Sequence, residues 1–234
     1  MNKLVVLTGG TKGIGRAILE RFAAAGFDVA TCARNLSDLI QLKDDFEKRY
    51  SIKVYVQSAD MSDKTQVKVF TDFINKLGCP VDVLVNNAGH FAPGQIMEES
   101  EGTLESMIEG NVYSAYYTTR GLVGTMKSNK AGHIFNMCSI ASIKAYPNGG
   151  SYAISKFALL GFSKVLREEL KEFGIRVTAV LPGATKTASW AGSTLPDSRF
   201  MKPEDVAEAV FSAYSLSPHS VVEELLIRPQ LGDI

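Results

Sequence analysis

Short apolar runs alternate with longer segments of helical period from one end of the chain to the other. Residues 4–8, 28–33, 53–57, 81–86, 133–138, 176–181 and 221–227 are apolar, often β-branched, and of strand length. Between them, residues 13–26, 37–50, 62–77, 103–127, 151–173 and 203–214 carry helical patterns. Ser37 and Ser62 are the expected N-caps of the second and third helices, and Pro203 opens the last. The strands show almost no alternation of apolar and polar positions. That is the pattern of a parallel sheet covered by helices on both faces. Strands separated by helices imply βαβ units, and no linker or composition break interrupts them. The expectation is one α/β domain over residues 1–234, a doubly wound parallel sheet of about seven strands. Ligands of such sheets bind at the carboxyl ends of the strands, near the point where strand order reverses.

Composition narrows the partners. Lys+Arg and Asp+Glu both total 25, so no basic excess argues for nucleic acid, and no basic amphipathic helix argues for a membrane surface. No stretch approaches the length of a membrane span. A soluble, unprocessed, cytoplasmic protein is expected. Cys32, Cys79 and Cys138 are odd in number and form no C-x-x-C pair, so they read as structural thiols in a reducing compartment. His90, His133 and His219 show no ligand spacing, and no metal site is expected; His90 reads as a loop histidine.

Two motifs carry chemistry. Directly after the first strand stands T-G-G-T-K-G-I-G, with Gly9, Gly13 and Gly15 spaced G-x3-G-x-G. Glycines there let the chain turn sharply and let a pyrophosphate approach free N–H groups at a helix start. Further on, Ser139, Tyr152 and Lys156 stand as S-x12-Y-x3-K, with Asn111 upstream. Tyr152 and Lys156 lie one turn apart on one helix face. An ammonium beside a phenol favours the phenolate, and a serine hydroxyl from another element could hold a carbonyl oxygen against that phenol. The set suits protonation of a carbonyl oxygen, or deprotonation of an alcohol.

Together with N-N-A-G at residues 86–89 and P-G-x3-T at residues 182–187, these motifs resemble, in order and spacing, the short-chain dehydrogenase/reductase family, in its subgroup of about this length, over nearly the whole chain. The resemblance implies a Rossmann-type fold, with Tyr152 as general acid/base and Lys156 binding the nicotinamide ribose and lowering the tyrosine pKa. Ser139 would orient the carbonyl, and Asn111 would bend a helix and hold a water that refills the proton. It also implies a cofactor site of Gly9, Thr11, Lys12, Gly13, Ile14 and Gly15 in the first turn. Arg34 and Asn35 follow the second strand, Asp60 and Met61 the third, and Asn87, Ala88 and Gly89 the fourth. Pro182, Gly183, Thr185 and Thr187 complete the site, with Tyr152 and Lys156 touching the same cofactor.

The form of the cofactor is read from residues 31–35. Ala33 stands where an NAD site places a carboxylate, and Arg34 follows. Arginine forks onto a phosphate, and Lys12 can approach the same group, so NADP(H) is expected. Residues 184–201, rich in Gly, Ser, Thr and Pro, read as a lid. Ile140, Ile143, Tyr146 and Trp190 suggest a partly apolar pocket for a small or flat carbonyl compound: a ketone, diketone or aldehyde, with sepiapterin reductase-like enzymes among the possibilities. A 3-oxoacyl-[acyl-carrier-protein] reductase is an alternative. Lys130 could meet an acidic carrier, but Phe173 fills a position that is often basic in those members. A non-catalytic NADP-binding regulator is the rival of another class. Family members pair two helices into a four-helix bundle, here those around residues 111–127 and 151–173. Val112, Tyr113, Tyr116, Tyr117, Phe157, Leu160, Phe162 and Val165 make them apolar beyond a single buried face. A homodimer or homotetramer is expected.

Overall fold

A computed structural model describes residues 2–190 and 192–234; Ala191, inside the expected lid, lies outside them. Seven parallel strands form one sheet in the order β3-β2-β1-β4-β5-β6-β7. They are β1 (Leu4–Thr8), β2 (Asp28–Ala33), β3 (Val54–Ser58), β4 (Val83–Asn86), β5 (Gly132–Met137), β6 (Ile175–Pro182) and β7 (Glu224–Ile227). The helices are α1 (Gly13–Ala24), α2 (Leu36–Tyr50), α3 (Lys64–Lys76), α4 (Thr103–Ile108), α5 (Ser114–Asn129), α6 (Gly150–Leu170) and α7 (Pro203–Ser215).

Alternation within each strand feeds two cores. Val5, Leu7, Val83, Val85, Phe135 and Met137 face α1, α2 and α7, where Ile18, Phe22, Leu42, Phe46, Val206 and Val210 meet them. Leu4, Val6, Leu84 and Ile134 face the other way, onto Phe70, Ile74, Leu122, Met126, Leu166 and Leu170 of α3, α5 and α6. Both strand faces are buried, which explains why the runs look apolar throughout. The chain leaves β1 toward β3, then returns across the sheet to β4. The crevice between the carboxyl ends of β1 and β4 is therefore the switch point, and the glycine turn and N-N-A-G end there.

Several boundaries differ from the sequence reading. The caps of α2 and α3 are Asn35 and Asp63, not Ser37 and Ser62. Each carboxamide or carboxylate oxygen accepts two backbone N–H groups of its helix's first turn. Ser37 instead donates its hydroxyl to Asn35, and Ser62 donates to Asp60. β4 starts at Val83 because the Asp82 carboxylate ties back to the Leu4 N–H at 2.8 Å. The stretch 103–127 is not one helix: a π-turn, Glu109–Tyr113, separates α4 from α5. The expected lid is pinned at its base, where Lys186 N–H donates to Met201 and Met201 N–H to Ala184, at 2.9 and 3.0 Å. Among the described residues no helix is long and apolar enough to cross a membrane, and no cluster of three or more His, Cys, Asp and Glu could hold a metal.

Candidate active site

Ser139 follows β5 and opens a 3-10 turn, Ile140–Ser142. Its Oγ accepts the Ala141 N–H at 3.1 Å, while its own N–H donates to Ser142 Oγ at 3.2 Å. This reciprocal cap fixes the serine with its hydroxyl against the Tyr152 phenol. Tyr152 and Lys156 come from the first turns of α6. Lys156 is 7% exposed; its Nζ donates to the Met137 carbonyl at 2.7 Å and lies 5.7 Å from the Tyr152 ring centroid. Burial pushes the ammonium down to about 8.

Burial raises the Tyr152 phenol above its ordinary value, and the Ser139 hydroxyl pulls it back only in part. Lys156 is not among the groups that shift the phenol; its nitrogen donates to the Met137 carbonyl and is itself desolvated. The resting state therefore holds a neutral phenol, a proton donor.

Asn111 sits in the π-turn, 1% exposed. Its Oδ1 accepts the His90 N–H at 2.9 Å, and its Nδ2 donates to the His90 carbonyl at 3.1 Å and to Ser155 Oγ at 2.9 Å. Ser155 Oγ in turn donates to the Tyr152 carbonyl at 2.7 Å. Asn111 thus ties the N-N-A-G loop to the catalytic helix. A π-turn at this place suits a functional site.

The glycine turn fits a dinucleotide. Helix α1 has Lys12 at its N-cap, with no side-chain cap bond and no acid in its first turn, whereas α2 and α3 are both capped. Its first N–H groups are left for a ligand, and a pyrophosphate matches them in charge and geometry. Gly9 adopts φ +75, which favours glycine. A Cβ on Gly15 would lie 2.5 Å from Asn87 Nδ2, and one on Gly13 3.2 Å from Thr187 Cγ2. The turn is therefore wedged between N-N-A-G and the lid, with Thr11 and Ile14 on either side of Gly13.

The other expected cofactor residues divide. Arg34 is exposed, and no carboxylate pairs with it among the described residues. Lys12 is not free: it pairs with Asp38 at 3.0 Å, its side chain 74% exposed. Asn35 spends its carbonyl oxygen capping α2. Asp60 accepts the Ser62 N–H and hydroxyl at 3.0 and 2.7 Å, which hold its carboxyl below the usual range. Met61 turns inward and accepts the Cys32 thiol at 3.4 Å. Asn87 donates its amide to the Thr8 and Gly9 carbonyls, both at 3.0 Å, so its NH2 braces the turn and does not reach outward. Ala88 N–H bonds Thr8 Oγ1 at 3.0 Å, and Gly89 packs on the Asn111 amide. Pro182 ends β6, Gly183 N–H bonds the Ile227 carbonyl at 2.8 Å, and Thr185 is buried with its hydroxyl on Gly183 O at 3.0 Å.

Two residues escaped the sequence reading. Thr8 receives both N–H groups of Asn87 and Ala88; its place in the T-G pair was the available signal. Ser155 gave none. Phe91 sets its ring edge-on to Tyr152, with centroids 4.9 Å apart; it is partly exposed, as are Ile143 and Tyr146. Trp190 packs on Phe200, with centroids 5.2 Å apart.

Comparison with known proteins agrees with this geometry. Residues 3–196 match the family profile described as short chain dehydrogenase. The chain is 31% identical over 242 residues to a sepiapterin reductase of Chlorobaculum tepidum, covering all of this chain and 99% of the relative. It superposes on an alcohol dehydrogenase of Thermococcus sibiricus complexed with 5-hydroxy-NADP, at TM-score 0.92 and 28% identity, covering 98% and 97% of the two chains. It also matches an L-sorbose reductase of Gluconobacter frateurii complexed with NADPH and L-sorbose, at TM-score 0.90 and 27% identity, covering 97% and 95%. The open helix start, the tyrosine–lysine pair and a family match over residues 3–196 lead to one statement: this protein belongs to the short-chain dehydrogenase/reductase family of oxidoreductases.

Proposed function

We propose that the protein is an NADPH-dependent reductase of a small, flat carbonyl compound, a ketone, diketone or aldehyde, with Tyr152 as the general acid. The observation that carries this reading is the placement of the Tyr152 phenol against Ser139, at the end of a crevice whose uncapped helix can take a pyrophosphate. The reduced nicotinamide would supply the hydride to the carbonyl carbon. Ser139 donates a hydrogen bond to the carbonyl oxygen and holds it at the phenol. Tyr152 delivers the proton to that oxygen as negative charge develops there. Lys156, 5.7 Å from the Tyr152 ring centroid, would hold the nicotinamide ribose, and its positive charge would favour the phenolate that remains. Asn111, bonded to His90 and Ser155, keeps the helix in place during proton return. The partly exposed apolar side chains of Phe91, beside Tyr152, and of Ile143 and Tyr146 would favour a planar substrate over a polyol. The sepiapterin reductase relative supports that class. The buried Cys32 and Cys138 fit a reducing cytoplasm.

The NADPH preference rests on Arg34, whose guanidinium can fork onto a 2′-phosphate. Lys12 can join it, because an exposed pair such as Lys12–Asp38 is worth only about 0–1 kcal/mol. A panel of aldehydes, diketones and pterin-like ketones, read by NADPH oxidation, tests the activity. Affinity for NADPH is expected to exceed that for NADH at least about tenfold, or 1.4 kcal/mol, and Arg34→Asp to erase the difference. Equal affinities in the wild type, or an unchanged preference in the variant, would refute the assignment.

We also propose a homodimer or homotetramer built on α5 and α6. Tyr113, at the start of α5, and Ile154, Phe157 and Val165 of α6 stay 42–55% exposed, and a Cβ on Gly161 would meet nothing within 4 Å. Leu160 is buried, and Tyr117 and Phe162 pack against the chain's own core, so they are not free for a partner. Light scattering after size exclusion is expected to give two or four times 25.4 kDa; a single-chain mass at micromolar concentration would reject the assembly.

A further inference from the structure

Glu99 lies outside the catalytic quartet, yet it reaches the helix that carries two of its members. Its Oε1 accepts the Ser151 N–H at 2.9 Å, and its Oε2 accepts the Ser151 hydroxyl. The two residues are 52 apart in sequence. Ser151 is 3% exposed and immediately precedes Tyr152. Helix α6 has no cap of its own, since Gly149 at its N-cap offers no side chain. Glu99 therefore supplies, from a distant loop, the acceptor and negative charge that a helix start favours.

The backbone is shaped around this contact. Gly150 has φ +32, and a Cβ there would lie 2.0 Å from Glu99 Oε1 and 2.5 Å from the Gly94 carbonyl. Gly94 N–H donates to the Asn148 carbonyl at 3.0 Å, and Gly94 pairs with Gly149 in a parallel bridge. The loop after β4 is thus stitched to the start of α6 at two points. At its other end the same loop carries Phe91, edge-on to the Tyr152 ring. Tyr152 is bracketed by one loop on two sides.

We propose that Glu99 is a positioning residue for the reduction. Its carboxylate latches the loop carrying Phe91 onto the first turn of α6, and so sets the reach of the Tyr152 phenol and the position of the Phe91 ring against it. The proposal rests on the reading of Tyr152 as proton donor. Glutamine can restore both bonds, its oxygen accepting the Ser151 N–H and its NH2 donating to the Ser151 hydroxyl; alanine restores neither.

The test uses the full chain and a carbonyl compound that the wild type reduces. Glu99→Ala is expected to lower kcat about tenfold, since small misplacements of reacting groups are costly, and to raise KM. NADPH affinity, read by fluorescence, changes far less than kcat, because the cofactor turn makes no contact with Glu99 and Lys156 is tied separately to the Met137 carbonyl. Glu99→Gln recovers most of the rate. Amide hydrogen exchange at Ser151 accelerates in the alanine variant and not in the glutamine one. Unchanged kcat and exchange in Glu99→Ala, or a loss of NADPH affinity in step with kcat, would overturn the proposal. If Glu99→Ala does not fold, Ser151→Ala removes the hydroxyl bond alone; a smaller loss of kcat at constant NADPH affinity supports the latch, and wild-type kinetics reject it. A wild type inactive on every carbonyl would instead sink the assignment of Tyr152, while exchange at Ser151 would still report on the latch.

Discussion

Tyr152→Phe is expected to lower kcat for carbonyl reduction at least about a hundredfold, the usual cost of removing a general acid. NADPH affinity should hold, because the substitution removes one hydroxyl and keeps the ring. The edge contact with Phe91 survives, and so does the carbonyl bond from Ser155, which uses only the Tyr152 backbone. The remaining Ser139 hydroxyl can polarise the substrate oxygen but has no proton to give at neutral pH. A variant that retains more than about a tenth of the wild-type kcat would remove Tyr152 from the role of general acid. Turnover with each substrate and NADPH titration by fluorescence supply both readings.

Lys156→Met should separate activity from stability, and pH exposes the separation. Turnover and NADPH affinity both fall, because the charge beside the phenol and the ribose side is lost. Stability changes by another route. The Lys156 pKa is about 8 in the folded chain and about 10.4 in an unfolded one. Below pH 8 both states carry the proton, and the folded state bears the full penalty of a buried ammonium. Between these values the unfolded chain binds more protons, so this group's contribution to stability rises with pH. The wild type should therefore gain about 3 kcal/mol relative to Lys156→Met as pH rises from 7 to 10.5. Other titrating groups are common to both proteins and cancel, apart from those that feel the Lys156 charge, Cys138 first among them. Paired urea melts at the two pH values measure the gap; a gap independent of pH would show that Lys156 is not held near 8.

What could be read ahead of the structure was what depends on neighbours in sequence. Leu4–Leu7 declared a strand buried on both faces, and the i,i+4 pair of Tyr152 and Lys156 declared a shared helix face. The glycine turn was legible because few residues besides glycine tolerate the backbone at Gly9. Helix starts were less so: Asn35 and Ser37, or Asp63 and Ser62, are all able to cap, and only the path of the chain selects among them. The electrostatics of the site were not legible at all. Whether the Lys156 ammonium lowers the Tyr152 phenol depends on the Met137 carbonyl and on burial, and both come from strands far away in sequence. The same holds for Lys12, whose partner Asp38 lies beyond the second strand, and for Glu99.

Between Ile108 and Ser114 the polypeptide winds with one residue more than an α-turn would hold. Each residue advances an α-helix by about 100°, so α4 and α5 run out of phase by that angle. The inward face of α4 carries Met107, and that of α5 carries Ala115, Thr118, Leu122 and Met126. The extra residue acts as a vernier that lets both faces point inward while Asn111 meets His90 and Ser155. Removing one residue anywhere in 109–113 would bring the two helices into register, and one of the two faces would then have to turn toward water. Chain length in this short span is thus fixed to the single residue, although only Asn111 of those five belongs to the catalytic quartet.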